Sequence, residues 1–343
     1  MSNRKYNLFV GCYGKAVEET IHWLHFDAEK GQLSKVHSCN GIENPSFLTI
    51  NHRKSHLFTV SEVQNGQVVS FEINKDLCTI HELNRQKTKG GPCYLEIDCT
   101  DEYLFTANYS NGSIIIHKIE KSGAIGREVD YHFYHDDGFL PSKIHAIRKI
   151  PKTSYFVATD LGLNKLYFYT FNQRTGKLTF LRDQEVPKGS GPRHITFHPS
   201  LSIFYVVNEF NSTVLTYAYD EHLKRIHLLQ VLPTLPETFK EDNYGADIHI
   251  TVVGDYLYVS NRGHHSLTAY KVLRDGSLST INQIKTDGKW PRNFVIIPNE
   301  QYIVVANEHT NSLVVMKILG DGRLQKTGHS YQVNKPVCLE VIE

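Results

Sequence analysis

The sequence lacks the features that would place it in several common classes of protein. Its net charge is only +1 over 343 residues, so it has no basic field for nucleic acid or for an anionic membrane surface. It has no apolar run longer than a strand and no secretory signal at its N-terminus. We therefore expect a cytoplasmic protein with no nucleic-acid partner and no membrane partner.

Paired cysteines and the usual catalytic motifs are also absent. The six cysteines form no Cys-x-x-Cys pair, so neither a zinc site nor a disulfide framework is indicated. There is no Gly-x-Ser-x-Gly motif, phosphate-binding loop or dinucleotide fingerprint, which argues against serine hydrolysis and nucleotide chemistry. Residues 132–137 contain imidazoles and carboxylates that suit a divalent ion, but their spacing matches no metal site, and we interpret them as a polar loop. No cofactor and no metal are expected.

What the sequence does contain is one pattern that recurs seven times along its whole length. Each copy is an apolar run that ends in a small or polar residue, followed by a turn with Ser or Asn and a second apolar run. The register residues lie 46 to 53 positions apart: Cys12, Ser61, Asn108, Thr159, Asn208, Asn261 and Asn307. Repeats of this period are typical of solenoids, propellers and arrays.

Each repeat contains about four short strands. Apolar and polar residues alternate, or form short β-branched and aromatic runs, as in 256–260 and 312–316. Clusters of Gly, Asp and Asn between these runs are typical of hairpin turns. Since four antiparallel strands make one propeller blade, the sequence predicts an all-β, seven-bladed β-propeller, with residues 1–343 as a single domain.

The two ends of the sequence each contain part of a repeat. Residues 6–27 supply the middle and outer strands of a unit without its opening strand, whereas residues 335–343 supply an opening strand alone. If the last strand pairs with the first, no sheet edge is left between the first and last blades. We expect the ring to be closed by this pairing of the N- and C-terminal strands.

The repeat also predicts where functional side chains gather. The innermost strand of a blade and the next strand are antiparallel, so the start of one and the end of the other meet at one mouth of the central channel. The residue that follows each register position forms a polar ring there: Tyr13, Glu62, Tyr109, Asp160, Glu209, Arg262 and Glu308. The opening strands add His145, Arg193, His194, His249 and Arg292. Such a set suits a small anionic substrate whose reaction needs a general base and an oxyanion stabiliser.

Four segments in the second half of the chain carry a family resemblance. They contain Gly-Pro-Arg-His and Phe-His-Pro in 191–199, Val-Val-Asn-Glu in 206–209, Ser-Asn-Arg-Gly-His in 260–264, and Pro-Arg-Asn-Phe with Ala-Asn-Glu in 291–308. These segments resemble the lactonase family of seven-bladed propellers, which includes bacterial 6-phosphogluconolactonases and fungal carboxymuconate-lactonising enzymes. The resemblance implies hydrolysis of a sugar lactone, with 6-phospho-D-glucono-1,5-lactone as the expected substrate in the pentose phosphate pathway.

The resemblance also implies site residues. The active centre proposed for the lactonising members is a histidine, two arginines and a glutamate, and the matching positions are His145, Arg193, Glu209 and Arg262. We expect these four to be catalytic. The side chains expected to bind a phosphorylated or carboxylated lactone are His194, His249, Arg292 and Glu308. Either His145 or Glu209 is the base, and histidine is favoured because arginines beside Glu209 would hold its pKa low.

Other interpretations stay open at this point. The same arginines and glutamate suit an ion-pair network between blades, and propellers also serve as interaction platforms without enzymatic activity. A carboxymuconate-type cycloisomerase, or a lactonase for another substrate, would use the same residues. Departures from the family pattern at 11–14 and 261–265 affect the identity of the substrate, whereas the inserts at 127–143 and 232–246 are expected to wall the pocket.

Overall fold

The computed structural model describes residues 5–134, 138 and 140–343, and over these it is almost entirely β-sheet. The described residues form 28 strands in seven four-stranded sheets. The only helix among them is a 3₁₀ turn at Glu308–Thr310, and none is long and apolar enough to cross a membrane. The predicted all-β class is confirmed.

Each sheet is one blade of antiparallel strands, numbered here in chain order. Blade 1 contains β1 (Lys5–Cys12), β2 (Ile21–Asp27) and β3 (Gln32–Cys39). Blade 2 contains β4 (Leu48–Ile50), β5 (His56–Ser61), β6 (Gln67–Asn74) and β7 (Thr79–Lys87). Blade 3 contains β8 (Pro92–Ile97), β9 (Tyr103–Asn108), β10 (Ser113–Ile119) and β11 (Ile125–Phe133). Blades 4 and 5 contain β12 (Ile144–Lys149), β13 (Tyr155–Asp160), β14 (Lys165–Asn172) and β15 (Lys177–Glu185); β16 (Pro192–Phe197), β17 (Ile203–Asn208), β18 (Thr213–Tyr219) and β19 (Ile226–Pro233). Blades 6 and 7 contain β20 (Tyr244–Ile250), β21 (Tyr256–Arg262), β22 (Ser266–Val272) and β23 (Leu278–Lys285); β24 (Pro291–Ile296), β25 (Tyr302–Asn307), β26 (Ser312–Ile318) and β27 (Leu324–Gln332). The last strand, β28 (Pro336–Ile342), belongs to blade 1.

The first and last strands close the ring. β28 is the innermost strand of blade 1 and pairs antiparallel with β1, with Asn7 opposite Ile342 and Gly11 opposite Cys338. The innermost strands of all seven neighbouring blade pairs contact one another, including β28 with β4 and β24 with β28. The predicted seven-bladed propeller with this closure is therefore confirmed.

Burial changes with distance from the channel. Strands in the inner part of a blade, such as β9, β16 and β17, are buried along their whole length because each blade is covered by its neighbours on both faces. The outer strands, such as β7 and β15, expose most of their residues. This is why the inner strands have continuous apolar runs in the sequence and the outer strands do not.

Seven apolar clusters hold the blades together, one at each interface between neighbours. Between blades 5 and 6, for example, Tyr205 and Val207 pack with Leu257 and Tyr270, and all four are fully buried. Each blade thus contributes to two clusters. Because burial of apolar area stabilises a fold roughly in proportion to that area, the ring is stabilised by all seven interfaces together.

In blades 3, 6 and 7 the recurring asparagine of the repeat joins the blade to the segment that leads in from the preceding blade. In blade 3 the Nδ2 atom of Asn108 donates to the carbonyl oxygen of Thr88, at 2.9 Å. In blade 6 Asn261 Nδ2 donates to the carbonyl oxygen of Thr234 at 3.0 Å, and blade 7 has the equivalent bond at 3.3 Å. The asparagine thus joins the end of the second strand to the segment after the outer strand of the preceding blade, and this is the physical reason for part of the repeat.

The two inserts differ from the prediction in their bounds. Residues 127–133 are not a loop but most of β11, and the second insert contributes residues to β19 and β20, which leaves 234–243 as the connection. β11 was not predicted because its residues are largely polar and partly exposed, as in other outer strands. Within the predicted polar loop, His132 lies in β11 and contacts Asp130 at 2.9 Å, whereas 135–137 lie outside the described residues.

Candidate active site

A cavity of about 220 Å³ opens at the end of the channel where the innermost strands begin. We call it the upper cavity. Five of its lining residues come from the predicted polar ring and three from the opening strands: Tyr13, Glu62, Tyr109, Glu209 and Arg262, with Cys93, His145 and Arg292. The antiparallel pairing of the two inner strands brings these positions together, as the repeat predicted.

A β-bulge near the start of the innermost strands presents side chains to this cavity. In blade 4 the ladder between β12 and β13 pairs Ile144 and Ala146 but skips His145. The same irregularity occurs in blades 3, 5 and 7, and the skipped residues are Cys93, Arg193 and Arg292. Of these, Cys93 and Arg292 line the cavity, whereas Arg193 lies behind Glu209. Bulges of this kind redirect a side chain and are common next to active sites. The bulge, which the sequence did not predict, therefore explains why these positions carry functional groups.

Glu209 joins two buried arginines from neighbouring blades. Its Oε2 atom accepts a hydrogen bond from Nε of Arg193 at 3.0 Å and lies 2.7 Å from Nη2 of Arg262. The two guanidinium side chains are 3% and 5% exposed, so this network is desolvated. With two cations and one carboxylate, the three side chains carry a net charge of +1 and favour an anion.

The charges around Glu209 determine its protonation state. Burial alone would raise the pKa of Glu209, but Arg262 and Arg193 outweigh that effect and hold the pKa below its usual value. Burial lowers the pKa of Arg262 to about 10, against the opposing effect of Glu209. At neutral pH all three groups are therefore charged, and a carboxylate held by two arginines is a poor base.

Arg262 is further held by aromatic rings. Its guanidinium carbon lies 5.6 Å from the centroid of the Trp290 ring and 6.0 Å from that of Tyr244. Its Nη2 atom also donates to the carbonyl oxygen of Gly245 at 3.0 Å, while Nε is buried and has no hydrogen-bond partner in the part of the chain that the structure describes. Trp290 adopts a φ of 66°, which is rare for a residue other than glycine. Arg262 is thus a fixed, buried cation whose Nε–H donor is unused among the described residues.

His145 has no hydrogen-bond partner for its side chain among the described residues, and its Nδ1 atom is buried. The imidazole is packed between the rings of Tyr109 and His194, at centroid distances of 5.6 and 5.2 Å. Burial lowers the pKa of His145 well below 6.5, and Arg193 adds to this effect. A neutral imidazole with an unused lone pair beside a polar cavity is suited to accept a proton.

Arg292 is the least constrained arginine of the upper cavity. Its Nη2 atom lies 3.9 Å from Oε2 of Glu62, and its guanidinium carbon lies 5.2 Å from the centroid of the Tyr13 ring. Tyr13 in turn donates a hydrogen bond to the same Glu62 oxygen at 2.9 Å. Burial opposes the charge on Arg292, but nearby Tyr13, Glu62 and Glu308 outweigh it and raise the pKa of Arg292. Arg292 therefore keeps its charge and has donors to offer.

Two of the predicted substrate ligands lie at a different part of the channel. His194 and His249 line a second cavity of about 250 Å³, which we call the lower cavity and whose polar lining also includes Glu96, Arg148, Asp247, Asn293 and Glu340. Both histidines contact Asp247, at 2.8 Å and 2.9 Å. Direct contact of either histidine with substrate stays a prediction of the sequence.

The remaining ring positions lie outside the lining of the upper cavity. Asp160 is fully buried and accepts hydrogen bonds from the Ser142 hydroxyl and the amides of Lys143 and Leu163, at 2.6 to 2.9 Å. This carboxylate fastens the start of blade 4. Glu308, predicted to bind substrate, begins the 3₁₀ turn and affects the pKa of Arg292 through its charge.

Fold and site together define a seven-bladed propeller with buried imidazole, guanidinium and carboxylate groups at one mouth of its channel. The sequence matches the family described as lactonase, 7-bladed beta-propeller, over residues 7–341. The chain belongs to this family, which confirms the resemblance seen in the sequence.

Individual relatives agree over nearly the full length. The 6-phosphogluconolactonase of Bacillus subtilis (strain 168) is 31% identical, over 98% of this chain and 99% of that protein. A protein of the same name from Formosa agariphila is 28% identical, over 97% and 99% of the two chains. The solved structure of the periplasmic gluconolactonase of Pseudomonas aeruginosa is similar with a TM-score of 0.92, 26% identity and 99% coverage of each chain.

Proposed function

We propose that the chain hydrolyses a sugar δ-lactone, and that its substrate is 6-phospho-D-glucono-1,5-lactone, which it opens to 6-phosphogluconate. Family membership and the names of the two curated relatives support this proposal. The mechanism rests on His145, which is neutral, has no side-chain hydrogen bond among the described residues and lines the same cavity as Glu209 and Arg262. Glu209 is shared by Arg262 and Arg193. The reaction is then a cytoplasmic step of the pentose phosphate pathway.

In the proposed mechanism His145 acts first as general base. It accepts a proton from a water molecule, whose oxygen attacks the lactone carbonyl carbon and forms a tetrahedral oxyanion. The oxyanion develops beside Arg262 and Arg193, where fixed positive charge in a desolvated site stabilises the transition state most. The ester bond to the ring oxygen then breaks, and the imidazolium returns its proton to that oxygen. Glu209 holds the arginines rather than moving a proton.

Arg292 is the proposed ligand of the phosphate group. It is charged, largely buried and makes no hydrogen bond within the described residues, whereas the other two arginines are already anchored. A guanidinium group offers paired N–H donors that match phosphate oxygens. Two relatives are named 6-phosphogluconolactonase and one is named gluconolactonase, and the lactones in these names differ by the phosphate group. A contact with the phosphate would therefore decide between the two substrates.

The primary experiment compares freshly generated 6-phosphogluconolactone with glucono-1,5-lactone, each corrected for spontaneous hydrolysis. We expect the purified protein to prefer the phosphorylated lactone in kcat/KM. A folded Arg193→Ala, Arg262→Ala double variant should lose the reaction. A rate no higher than the spontaneous rate with both lactones would contradict the proposal. In that case, turnover of a carboxymuconate would identify a cycloisomerase. Absence of turnover with all three compounds would favour a role in protein interaction.

The phosphate contact has its own prediction. Arg292→Gln should raise KM for 6-phosphogluconolactone by about tenfold or more, because loss of a charge-assisted contact to an anion costs about 1.5–3 kcal/mol. The same variant should change kcat/KM for glucono-1,5-lactone by less than about threefold. Arg323→Gln, an exposed arginine paired with Asp321, is the matched control and should change neither. Equal losses with both lactones would show that Arg292 does not read the phosphate.

A further inference from the structure

Asp247 is a buried carboxylate that joins three blades between the two cavities. Its side chain is 3% exposed and lies in β20 of blade 6. Oδ1 accepts hydrogen bonds from Nδ1 of His194 at 2.8 Å and the amide of Ile248 at 3.0 Å. Oδ2 accepts from three donors, and these are Nε2 of His249 at 2.9 Å, Nδ2 of Asn293 at 2.6 Å and the amide of Phe294 at 3.2 Å.

These contacts determine which nitrogen of His194 carries the proton. Burial and the charge of Arg193 lower the pKa of His194 to about 4, so the imidazole is neutral and has a single N–H. Burial opposes the charge of Asp247, but His249 and His194 outweigh it and hold the pKa of Asp247 well below its usual value. The proton of His194 therefore lies on Nδ1, facing the carboxylate, and the lone pair lies on Nε2.

The lone pair of His194 in turn orients Arg193. Nη1 of Arg193 lies 3.1 Å from Nε2 of His194 and donates to the carbonyl oxygen of Ala246 at 2.6 Å. Nε donates to Glu209, as described above. Nη2 makes no hydrogen bond to any residue that the structure describes. The three contacts thus use Nε and Nη1, and the N–H donors of Nη2 are left for another partner.

We propose that Asp247 is a positioning residue for lactone hydrolysis, which acts through the His194 imidazole to hold Arg193 with its Nη2 free for the lactone. This inference rests on the proposed function, because it gives Arg193 a role at the reacting carbonyl. The positioning contact crosses the interface between two blades, since Asp247 lies in blade 6 whereas His194 and Arg193 belong to blade 5.

Only a carboxylate satisfies the five donors that converge on position 247. In an Asp247→Asn variant, an NH₂ group would replace one of the oxygens. Placed at Oδ1, it would face the amide of Ile248 and push His194 to the other tautomer, in which a proton on Nε2 faces the N–H of Arg193. Placed at Oδ2, it would face Asn293 and the amide of Phe294 instead. Unpaired buried donors of this kind are costly in either case.

The experiment combines Asp247→Asn with Glu340→Gln as matched control. Glu340 is another channel carboxyl, on the lower cavity, and burial raises its pKa to about 8, so the amide resembles its protonated form at neutral pH. With 6-phosphogluconolactone, Asp247→Asn should lower kcat by about 10- to 100-fold, as expected for a misplaced catalytic group, with KM changed by less than about threefold. Glu340→Gln should leave both values unchanged.

A second readout does not depend on activity. In protein labelled with ¹⁵N at histidine, NMR should show the Nδ1–H tautomer of His194 in the wild type and in Glu340→Gln. The NH₂ group should take the place of Oδ1, where it faces one amide donor, rather than that of Oδ2, where it faces two. The Nε2–H form should therefore appear in Asp247→Asn. Retention of the Nδ1–H form, or of full kcat, in folded Asp247→Asn would overturn the inference. If the wild type itself lacks lactonase activity, the proposed function fails instead.

A pair of variants at His194 keeps the inference testable if Asp247→Asn does not fold. The amide oxygen of glutamine reaches the position of Nε2, so His194→Gln retains an acceptor for Arg193. Asparagine reaches only the position of Nδ1, so His194→Asn retains the contact with Asp247 but not the acceptor. We expect the glutamine variant to keep at least about tenfold more kcat than the asparagine variant. Equal kcat values would contradict a positioning role.

Discussion

At the scale of single residues, the charge state of each side chain at the upper cavity and the hydrogen bonds that it already makes indicate its role. Glu209, which carries two arginines, is kept ionised and is a poor proton acceptor. His145, with no hydrogen bond from its side chain among the described residues, is kept neutral and available. The preference for histidine as the base, argued in the sequence from the position of the arginines, is thus supported by the geometry and stays a prediction.

Replacement of His145 by Gln should lower kcat by about 10²- to 10⁴-fold, the usual contribution of a general base, with a smaller effect on KM.

The pH dependence of the reaction follows from the lowered pKa of His145. A base that must be neutral is active above its pKa, and activity is lost as the pH falls through it. The acid limb of kcat/KM should therefore have its midpoint below 6.5, measured from pH 5 to 8 after subtraction of the spontaneous rate. A midpoint at or above 6.5 would assign the base elsewhere.

At the scale of the elements, the asparagine of the repeat is a structural fastener and not a site residue. Asn261 is fully buried, donates to the carbonyl oxygen of Thr234 and accepts from its hydroxyl at 2.6 Å. This contact joins the end of β21 to the chain after β19. It also fixes the position of the residue that follows, Arg262, relative to the neighbouring blade.

The corresponding prediction is a loss of stability in Asn261→Ala. Removal of this buried amide should lower the free energy of unfolding by about 2–3 kcal/mol, since its hydrogen bonds with Thr234, Asn243 and Thr268 are all lost. Urea unfolding followed by circular dichroism measures this change. Asn65→Ala, at an exposed turn of blade 2, is the control and should change stability by less than about 0.5 kcal/mol. Similar losses in both variants would show that the buried contact is not the cause.

The outer strands were the elements that the sequence predicted least well. The sequence pattern predicts a loop over part of β11, because the residues of this strand are largely polar and partly exposed. The inner strands were predicted by their apolar runs, which exist because the blades on either side cover both of their faces. The apolar runs by which a strand is predicted therefore reflect its burial in the assembled ring, and a strand that stays exposed lacks them.

At the scale of the whole molecule, the fold depends on the pairing of β28 with β1. A chain that ends at Asn334 lacks β28 and leaves β1 as an open edge beside two apolar clusters. We expect it to lose cooperative urea unfolding and to aggregate, as observed by size-exclusion chromatography. The matched control is a circular permutant that starts at Lys335 and joins Glu343 to Lys5 by a short linker, since Ile342 lies opposite Asn7.

The permutant contains the same break at 334–335 but retains the strand, so it should unfold cooperatively with a midpoint near that of the intact chain. Cooperative unfolding of the truncated chain would contradict the closure argument. Aggregation of both proteins would attribute the effect to the break in the chain instead of the missing strand.

The sequence by itself determined the seven-bladed ring, its closure and the mouth of the channel where the polar residues gather, because these follow from a local pattern repeated in every blade. It did not distinguish residues at equivalent positions of that pattern. Asp160 and Glu209 occupy the same position of the repeat, yet one fastens a turn and the other joins two arginines. Likewise Arg193 and His194 are adjacent, but the first contacts Glu209 and the second Asp247. Only the tertiary structure decided these roles, because β-bulges redirect the side chains near the start of the inner strands. In addition, Glu209 and His194 each have a partner in the neighbouring blade, some fifty residues away in the chain.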